Sequence, residues 1–238
     1  SYSDRSIQNY AEKKSLYDDQ KNLNLVTVSD HSRRLINHSI LSKFPVTTIY
    51  NAVDTRVFRP VPAAVELRGS TIVGCAARHW DRRKGLEDVI ALRDQLDNTF
   101  RILVVGLTRK QIQNLPSGIL GMPAITSREE MAALYSSMDV FFNPSREETF
   151  GLTTIEAMAC GVPVVLYDVS ANREVQPDIA QCGIVELGDY ESVAKAIRAL
   201  SACRDGAFEA ALIKHVSTKF SQETFARQYY ELYKKVIA

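Results

Sequence analysis

Glu156 is the residue whose type and setting in this sequence most invite chemistry. A strand-like run closes at Asn143-Pro144-Ser145, a polar loop Arg146-Glu147-Glu148 follows, and Gly151 opens a stretch of helical spacing. On that helix Leu152, Ile155, Glu156 and Ala159 fall at i, i+3, i+4 and i+7 and share one face. Three are apolar and one is a carboxylate. A carboxylate on a buried stripe costs on the order of several kcal/mol unless it is hydrogen-bonded. A pair of sugar hydroxyls is a natural partner, because the two oxygens accept two hydrogen bonds. The alternative is a Glu156 at the edge of the stripe, simply solvated. Gly151 at the helix start lets a ligand approach the backbone, and the free N–H groups and dipole of a first turn favour a phosphate.

These residues need a frame to hold them. Short apolar runs alternate with amphipathic segments along the chain. Strands are predicted at 23–28, 71–77, 100–105, 139–143, 163–167 and 183–187, and helices at 3–22, 30–40, 84–96, 128–138, 152–160, 190–200, 205–219 and 221–237. Near-continuous apolar strands between helices imply an α/β, Rossmann-like doubly wound parallel sheet. Such a sheet binds ligands at the carboxyl ends of its strands. Ser221-Gln-Glu-Thr has the look of a helix start with Ser as N-cap.

The division into units follows. Residues 1–45 offer one α-β-α unit, too little for a core of its own. They are expected to be the remnant of an N-terminal domain whose beginning lies outside this sequence, which starts at Ser1 rather than Met. Residues 46–60, bracketed by Pro45, Pro60 and Pro62, are expected to be a linker. Residues 61–220 form the main domain, and 221–238 a final helix.

Bulk properties narrow the function. The 238 residues are 45% hydrophobic and 24% charged, ordinary for a soluble globular protein, and the net charge of +1 gives no field for nucleic acid or an acidic membrane surface. Cys75, Cys160 and Cys182 lie among apolar or small residues and, with Cys203, form no C-x-x-C pair, which fits reduced core thiols and a cytoplasmic setting. No run approaches a membrane span and no signal peptide is evident. His31, His38 and His215 have no metal spacing, and no Asp-x-Asp occurs, so no metal cofactor is expected. His79 is a weak cleft candidate and Trp80 beside it packs or shields. Phe225, Tyr229, Tyr230 and Tyr233 at helical spacing predict core packing.

Longer patterns add a resemblance. Glu148-x7-Glu156 followed by Ala157-Met-Ala-Cys-Gly-Val-Pro-Val-Val165 resembles the E-x7-E signature of GT4-like retaining glycosyltransferases of GT-B fold. Tyr50-Asn-Ala-Val-Asp-Thr-Arg-Val-Phe58 resembles the family's interdomain P-N-G-V-D-x-x-x-F. Ala77-Arg78 and Lys84-Gly85 resemble its G-R … K-G. Ser127-Arg-Glu-Glu-Met-Ala-Ala-Leu-Tyr135 and Asp139-Val-Phe-Phe-Asn-Pro-Ser145 resemble two further segments, all in order. The look is nearest to transferases of bacterial exopolysaccharide clusters, of the colanic-acid type.

The resemblance implies roles. Arg78, at a strand end, and Lys84, at a helix start, match the family's diphosphate-binding cations, the alternative being surface charge in the run Arg82-Arg83-Lys84. Glu148 matches the carboxylate that holds the donor sugar's hydroxyls and, with Arg78 and Lys84, is a catalytic candidate. Backbone N–H groups of Phe150, Gly151 and Leu152 would meet sugar and phosphate. Glu156 matches the ribose-binding glutamate, and Ile125 and Thr126 fall where the base is cradled. The implied donor is a nucleotide sugar, most readily UDP-linked. The implied acceptor is a polysaccharide or lipid-linked glycan, reached from the cytoplasm or peripherally at the inner membrane face. Departures are Ala77 and Ala52 for glycines and no Gly-Gly near 168–174; the family's N-terminal catalytic His has no counterpart among these residues. An isolated nucleotide-sugar-binding module without transfer activity is therefore the alternative, and a sugar-nucleotide epimerase a remoter one. A last helix that lacks its domain partner would leave an apolar face open to self-association.

Overall fold

The computed structural model describes residues 5–67, 69–179, 183–203 and 205–237. The first unit runs α1 (Ser6–Asp18), β1 (Leu25–Thr27), α2 (Asp30–Asn37) and β2 (Val46–Thr48). β1 and β2 pair in parallel, Leu25 opposite Val46, so residues 46–48 belong to this unit rather than to a linker as the prolines imply. Three residues behind Pro45 are too short a run to declare themselves a strand. Ser29 caps α2, its Oγ accepting from the Ser32 N–H at 3.1 Å.

The larger unit runs β3 (Thr71–Ala76), α3 (Leu86–Arg93), β4 (Phe100–Val105), α4 (Arg109–Gln113), β5 (Ile119–Met122), α5 (Arg128–Ser136), β6 (Val140–Asn143), α6 (Leu152–Ala159), β7 (Val164–Tyr167), α7 (Asn172–Val175), β8 (Gly183–Val185), α8 (Tyr190–Ala202), α9 (Gly206–Lys219) and α10 (Gln222–Ile237). Six parallel strands lie in the order β5-β4-β3-β6-β7-β8. This is the doubly wound arrangement, and its order reverses between β3 and β6. Val73, Val104, Val140, Phe141 and Val164 are fully buried, as strands covered on both faces must be. α3 packs with α8, and α6 with α5 and α9. The carboxyl ends of β3 and β6 therefore open side by side onto a crevice, with Arg78 after one and the loop 144–150 after the other.

The units meet around α2. The Glu174 carboxylate accepts from the Asp30 N–H at 2.6 Å and the His31 N–H at 2.7 Å, so a side chain of the larger unit closes the positive end of a helix of the smaller. Val53 bridges in parallel to Ser221, where Ser221 Oγ accepts from the Thr224 N–H at 3.2 Å and starts α10.

α10 corrects one expectation. None of its residues is buried; Tyr230 and Tyr233 are exposed, and Phe225, Tyr229 and Tyr233 stack on one another rather than in a core. The periodicity is real, but among the described residues that face is at most partly covered. A groove between α10 and residues 47–49 is lined on the helix side by Arg227, Gln228, Glu231, Leu232 and Lys235, not by these aromatics.

Among the described residues Cys75 and Cys160 are buried and Cys203 is exposed; Cys182 lies outside them. Burial pushes both buried thiols up, that of Cys160 to about 12. At about pH 8, alkylation of the native protein should reach Cys203 and spare Cys75 and Cys160 until denaturant is added, read by peptide mass mapping. Labelling of Cys160 as fast as Cys203 would contradict this packing. Among the described residues, no helix is long and apolar enough to cross a membrane, and no group of three or more His, Cys, Asp or Glu could hold a metal ion.

Candidate functional site

The crevice is built by two glycine-initiated helices lying side by side. After β3 the chain runs through Ala77, Arg78 and His79 to a turn in which Asp81 Oδ1 accepts from the N–H groups of Arg83 at 2.9 Å and Lys84 at 3.1 Å. Gly85, at φ 73°, then starts α3. After β6, Arg146 donates its N–H to the Arg83 carbonyl at 2.8 Å, and Gly151, at φ 99°, starts α6. Left-handed backbone at both starts is glycine's province.

Charge ties the two loops together. Asp88 on α3 is fully buried, and Arg146 grips it with Nε at 2.9 Å and Nη2 at 2.8 Å, while the Tyr190 hydroxyl donates to it at 2.8 Å. That bidentate pair fixes the loop carrying Glu148 against α3, which follows directly on Lys84. Lys84 Nζ lies 2.8 Å from Glu148 Oε2 and 3.5 Å from Ser145 Oγ.

Two hollows flank this pair. One, of about 440 Å³, is lined by Ala77, Arg78, Ile125, Thr126, Tyr135 and Glu156, among others. The other, of about 510 Å³, lies against α2 and is lined by His31, His79, Lys84, Glu148, Thr149 and Ser170, among others. Arg78 and His79, consecutive in the chain, each face one hollow. The first turn of α6, whose leading N–H groups have no acceptor within the helix, follows from the loop between them.

Residues far apart in sequence thus converge. Arg78, Ile125, Thr126 and Glu156 share one hollow; Lys84 and Glu148 share the other. Phe150 is buried, packed on Tyr50 and Phe220, so its side chain serves the core. Leu152 is exposed and leaves the stripe that the helical spacing assigned to it, whereas Ile155 and Ala159 are buried. Trp80 is buried and donates Nε1–H to the Val105 carbonyl at 2.9 Å, bracing β3 against β4.

Glu156 is mostly shielded, and its carboxyl is pushed up to about 7 by burial, opposed by a hydrogen bond from Tyr135 and by the Arg128 charge. The Tyr135 hydroxyl donates to Oε2 at 2.9 Å. Sequence patterning did not single out Tyr135, Arg128, Asp88 or Arg146 for a role. The signal was there for Arg128 and Tyr135, which both lie in the segment Ser127–Tyr135 already noted for its resemblance.

Residues 70–202, more than half of the chain, match the family described as Glycosyl transferases group 1. The chain belongs to that family. The matched stretch of this glycosyltransferase-family chain holds Arg78, Lys84, Ile125, Thr126, Glu148 and Glu156. Alpha-galactosylglucosyldiacylglycerol synthase of Streptococcus pneumoniae is 25% identical over 218 residues, covering 81% of this chain and 56% of the relative. A GDP-mannose-dependent alpha-(1-6)-phosphatidylinositol dimannoside mannosyltransferase of Mycobacterium tuberculosis is 29% identical over 169 residues, covering 64% and 43%. The chain spans about half the length of these curated relatives. Among solved structures, Anabaena HepE in complex with UDP-glucose superposes with a TM-score of 0.78 at 17% identity, over 97% of this chain and 68% of that one. That likeness concerns the fold, which is of the GT-B type.

Proposed function

We propose that this chain is the donor-binding half of a retaining, GT4-like glycosyltransferase that takes a UDP-linked hexose and passes it to a polysaccharide or lipid-linked glycan acceptor. The observation that carries this is the convergence of a shielded Glu156 carboxylate and the Arg78 cation in one hollow, with Lys84 and Glu148 in the next. The first hollow suits a nucleoside, with Ile125 and Thr126 at the base and Glu156 at the ribose. The second suits the sugar, with Glu148 at its hydroxyls. The diphosphate would span the strip between them, met by Arg78, Lys84 and the N–H groups of Phe150, Gly151 and Leu152.

The chemistry this supports is leaving-group stabilisation. As the bond between the sugar's anomeric carbon and the diphosphate oxygen breaks, negative charge gathers on the diphosphate. Arg78, Lys84 and a helix N-terminus neutralise it where it forms, without a metal ion. Lys84 is held ready for this by Glu148 and Ser145. The UDP preference draws on the fold shared with a UDP-glucose complex; the GDP-mannose-dependent relative makes GDP the base to test against it. Retention of configuration draws on the E-x7-E resemblance, the lipid-linked acceptor on the glycolipid synthase relative, and a place in the cytoplasm or at the inner membrane face on both.

Calorimetric titration tests the diphosphate role. Lys84→Ala should weaken UDP binding by about tenfold, a loss near 1.4 kcal/mol, and leave UMP binding nearly unchanged, because only the distal phosphate loses its cation. Equal affinity of wild type and variant for UDP would remove Lys84 from the site. Parallel titrations with GDP decide the base.

A further inference from the structure

The hollow at the β3 and β5 ends contains a carboxylate that is held on one side only. Tyr135 is fully buried on α5, and its hydroxyl reaches Glu156 Oε2 at 2.9 Å. Its ring is wedged between Phe58 and Phe141, with centroids at 6.1 Å and 5.7 Å. A side chain so packed keeps one rotamer, and its hydroxyl stays where it is. Among the described residues that hydrogen bond is the one made to the Glu156 side chain, and Glu156 lines the hollow together with Thr153.

We propose that Tyr135 is the positioning residue of the nucleoside site: its fixed hydroxyl orients the Glu156 carboxylate and favours the ionised form that accepts two hydrogen bonds from a ligand's vicinal diol. This deepens, and rests on, the ribose-binding role given above to Glu156. The geometry explains why a tyrosine serves here. An ionised carboxylate with no fixed donor in so dry a place would take up a proton, and a neutral carboxyl can accept only one of the two diol hydrogen bonds without turning its own O–H away. One permanent donor from the protein side leaves an acceptor pair for the ligand.

The groups that face Glu156 are few. Tyr135 and Arg128 approach from α5, Cys160 from its own helix, and Arg78 across the hollow. Burial raises the carboxyl, while the Tyr135 hydrogen bond and the Arg128 charge lower it. Arg128 is half exposed and shared with Asp54 at 3.8 Å, so screening blunts its effect. Tyr135 is thus the one buried donor on this carboxylate among the described residues.

The experiment is calorimetric titration of UDP and of 2′,3′-dideoxy-UDP from about pH 6 to about pH 9 with wild type, Tyr135→Phe and Glu156→Gln. The dideoxy analogue carries the same diphosphate, so the ratio of the two affinities isolates the diol and cancels the ionisation of the phosphate. In wild type the ratio should rise with pH and level off above the Glu156 midpoint. In Tyr135→Phe the midpoint should move to higher pH, and the ratio near pH 7 should fall by roughly threefold to tenfold, as for loss of one ordinary hydrogen bond. In Glu156→Gln the ratio should be low and flat. A wild-type midpoint in Tyr135→Phe, with Glu156→Gln low and flat, overturns the role of Tyr135 and leaves the ribose site standing. Undiminished UDP affinity in Glu156→Gln overturns the ribose site itself. A loss in Tyr135→Phe that is equal for both ligands at every pH marks a merely structural tyrosine and also overturns the proposal.

Discussion

Glu156→Gln should bind UDP at least roughly tenfold more weakly than wild type and yet, at about pH 8, unfold at a higher temperature. The two effects have one cause. The Glu156 carboxyl sits at about 7 in the folded chain, against an ordinary value of 4.5, because burial disfavours its charged form. Its folded pKa is raised, so the stability it contributes is fully present below the unfolded value and is lost as pH rises through about 7. At pH 8 the free protein holds an ionised carboxylate in a poorly solvated place. Each pKa unit is worth about 1.4 kcal/mol, and residual solvent contact brings the whole to about 2 kcal/mol. Glutamine fills the same volume, accepts the Tyr135 hydrogen bond through its carbonyl oxygen and never ionises. Its melting temperature should exceed wild type by several degrees at pH 8 and approach it at about pH 4 and below. A gap that does not vary with pH, measured by calorimetry, would contradict a strained carboxylate. A site that lowers the protein's own stability to keep an acceptor charged is a familiar signature of binding.

How much of this was legible in the sequence depends on the range of the interaction. β4 appears where its apolar run Phe100–Val105 stands, because a strand covered on both faces records its burial in every residue. β5 was not legible: Ile-Leu-Gly-Met is four residues long, and its Leu120 faces solvent. α7 is a single turn. The site shows the same division. Local order placed Glu148, Gly151 and Glu156 on one loop and one helix. The partners that set their behaviour lie far away in the chain: Tyr135 is 21 residues before Glu156, and Asp88 is 58 before Arg146. No period of 2 or 3.6 couples such positions, and only the assembled sheet brings them together. The aromatic stripe of α10 shows the converse, since periodicity announces a face and says nothing of what covers it.

Gly85→Ala should be among the most damaging single-methyl changes in this chain, and should lower the melting temperature by roughly ten degrees. Two costs add. At φ 73° an L-residue carries a conformational penalty of about 1–2 kcal/mol. A Cβ built there would lie 2.2 Å from the Pro144 carbonyl oxygen and 2.8 Å from Asp88 Oδ2. The first is backbone and cannot swing aside, so the loop 144–150 must back away from α3. Three contacts stretch together when it does: the Arg146 N–H to the Arg83 carbonyl, the Arg146–Asp88 pair, and the Lys84–Glu148 bridge. Asp88 is fully buried, and removing its guanidinium partner strands a charge, which costs on the order of 3–5 kcal/mol. The loss should therefore reach function as well as stability, because Lys84 and Glu148 are placed only through this seam. UDP affinity should fall even below the melting transition, whereas a change at Gly188, whose Cβ would meet nothing within 4 Å, should leave UDP affinity at the wild-type value despite the backbone strain of its φ of 84°. Equal UDP affinity in Gly85→Ala and wild type at a temperature where both are folded would show that the diphosphate strip does not depend on the close approach of these two loops.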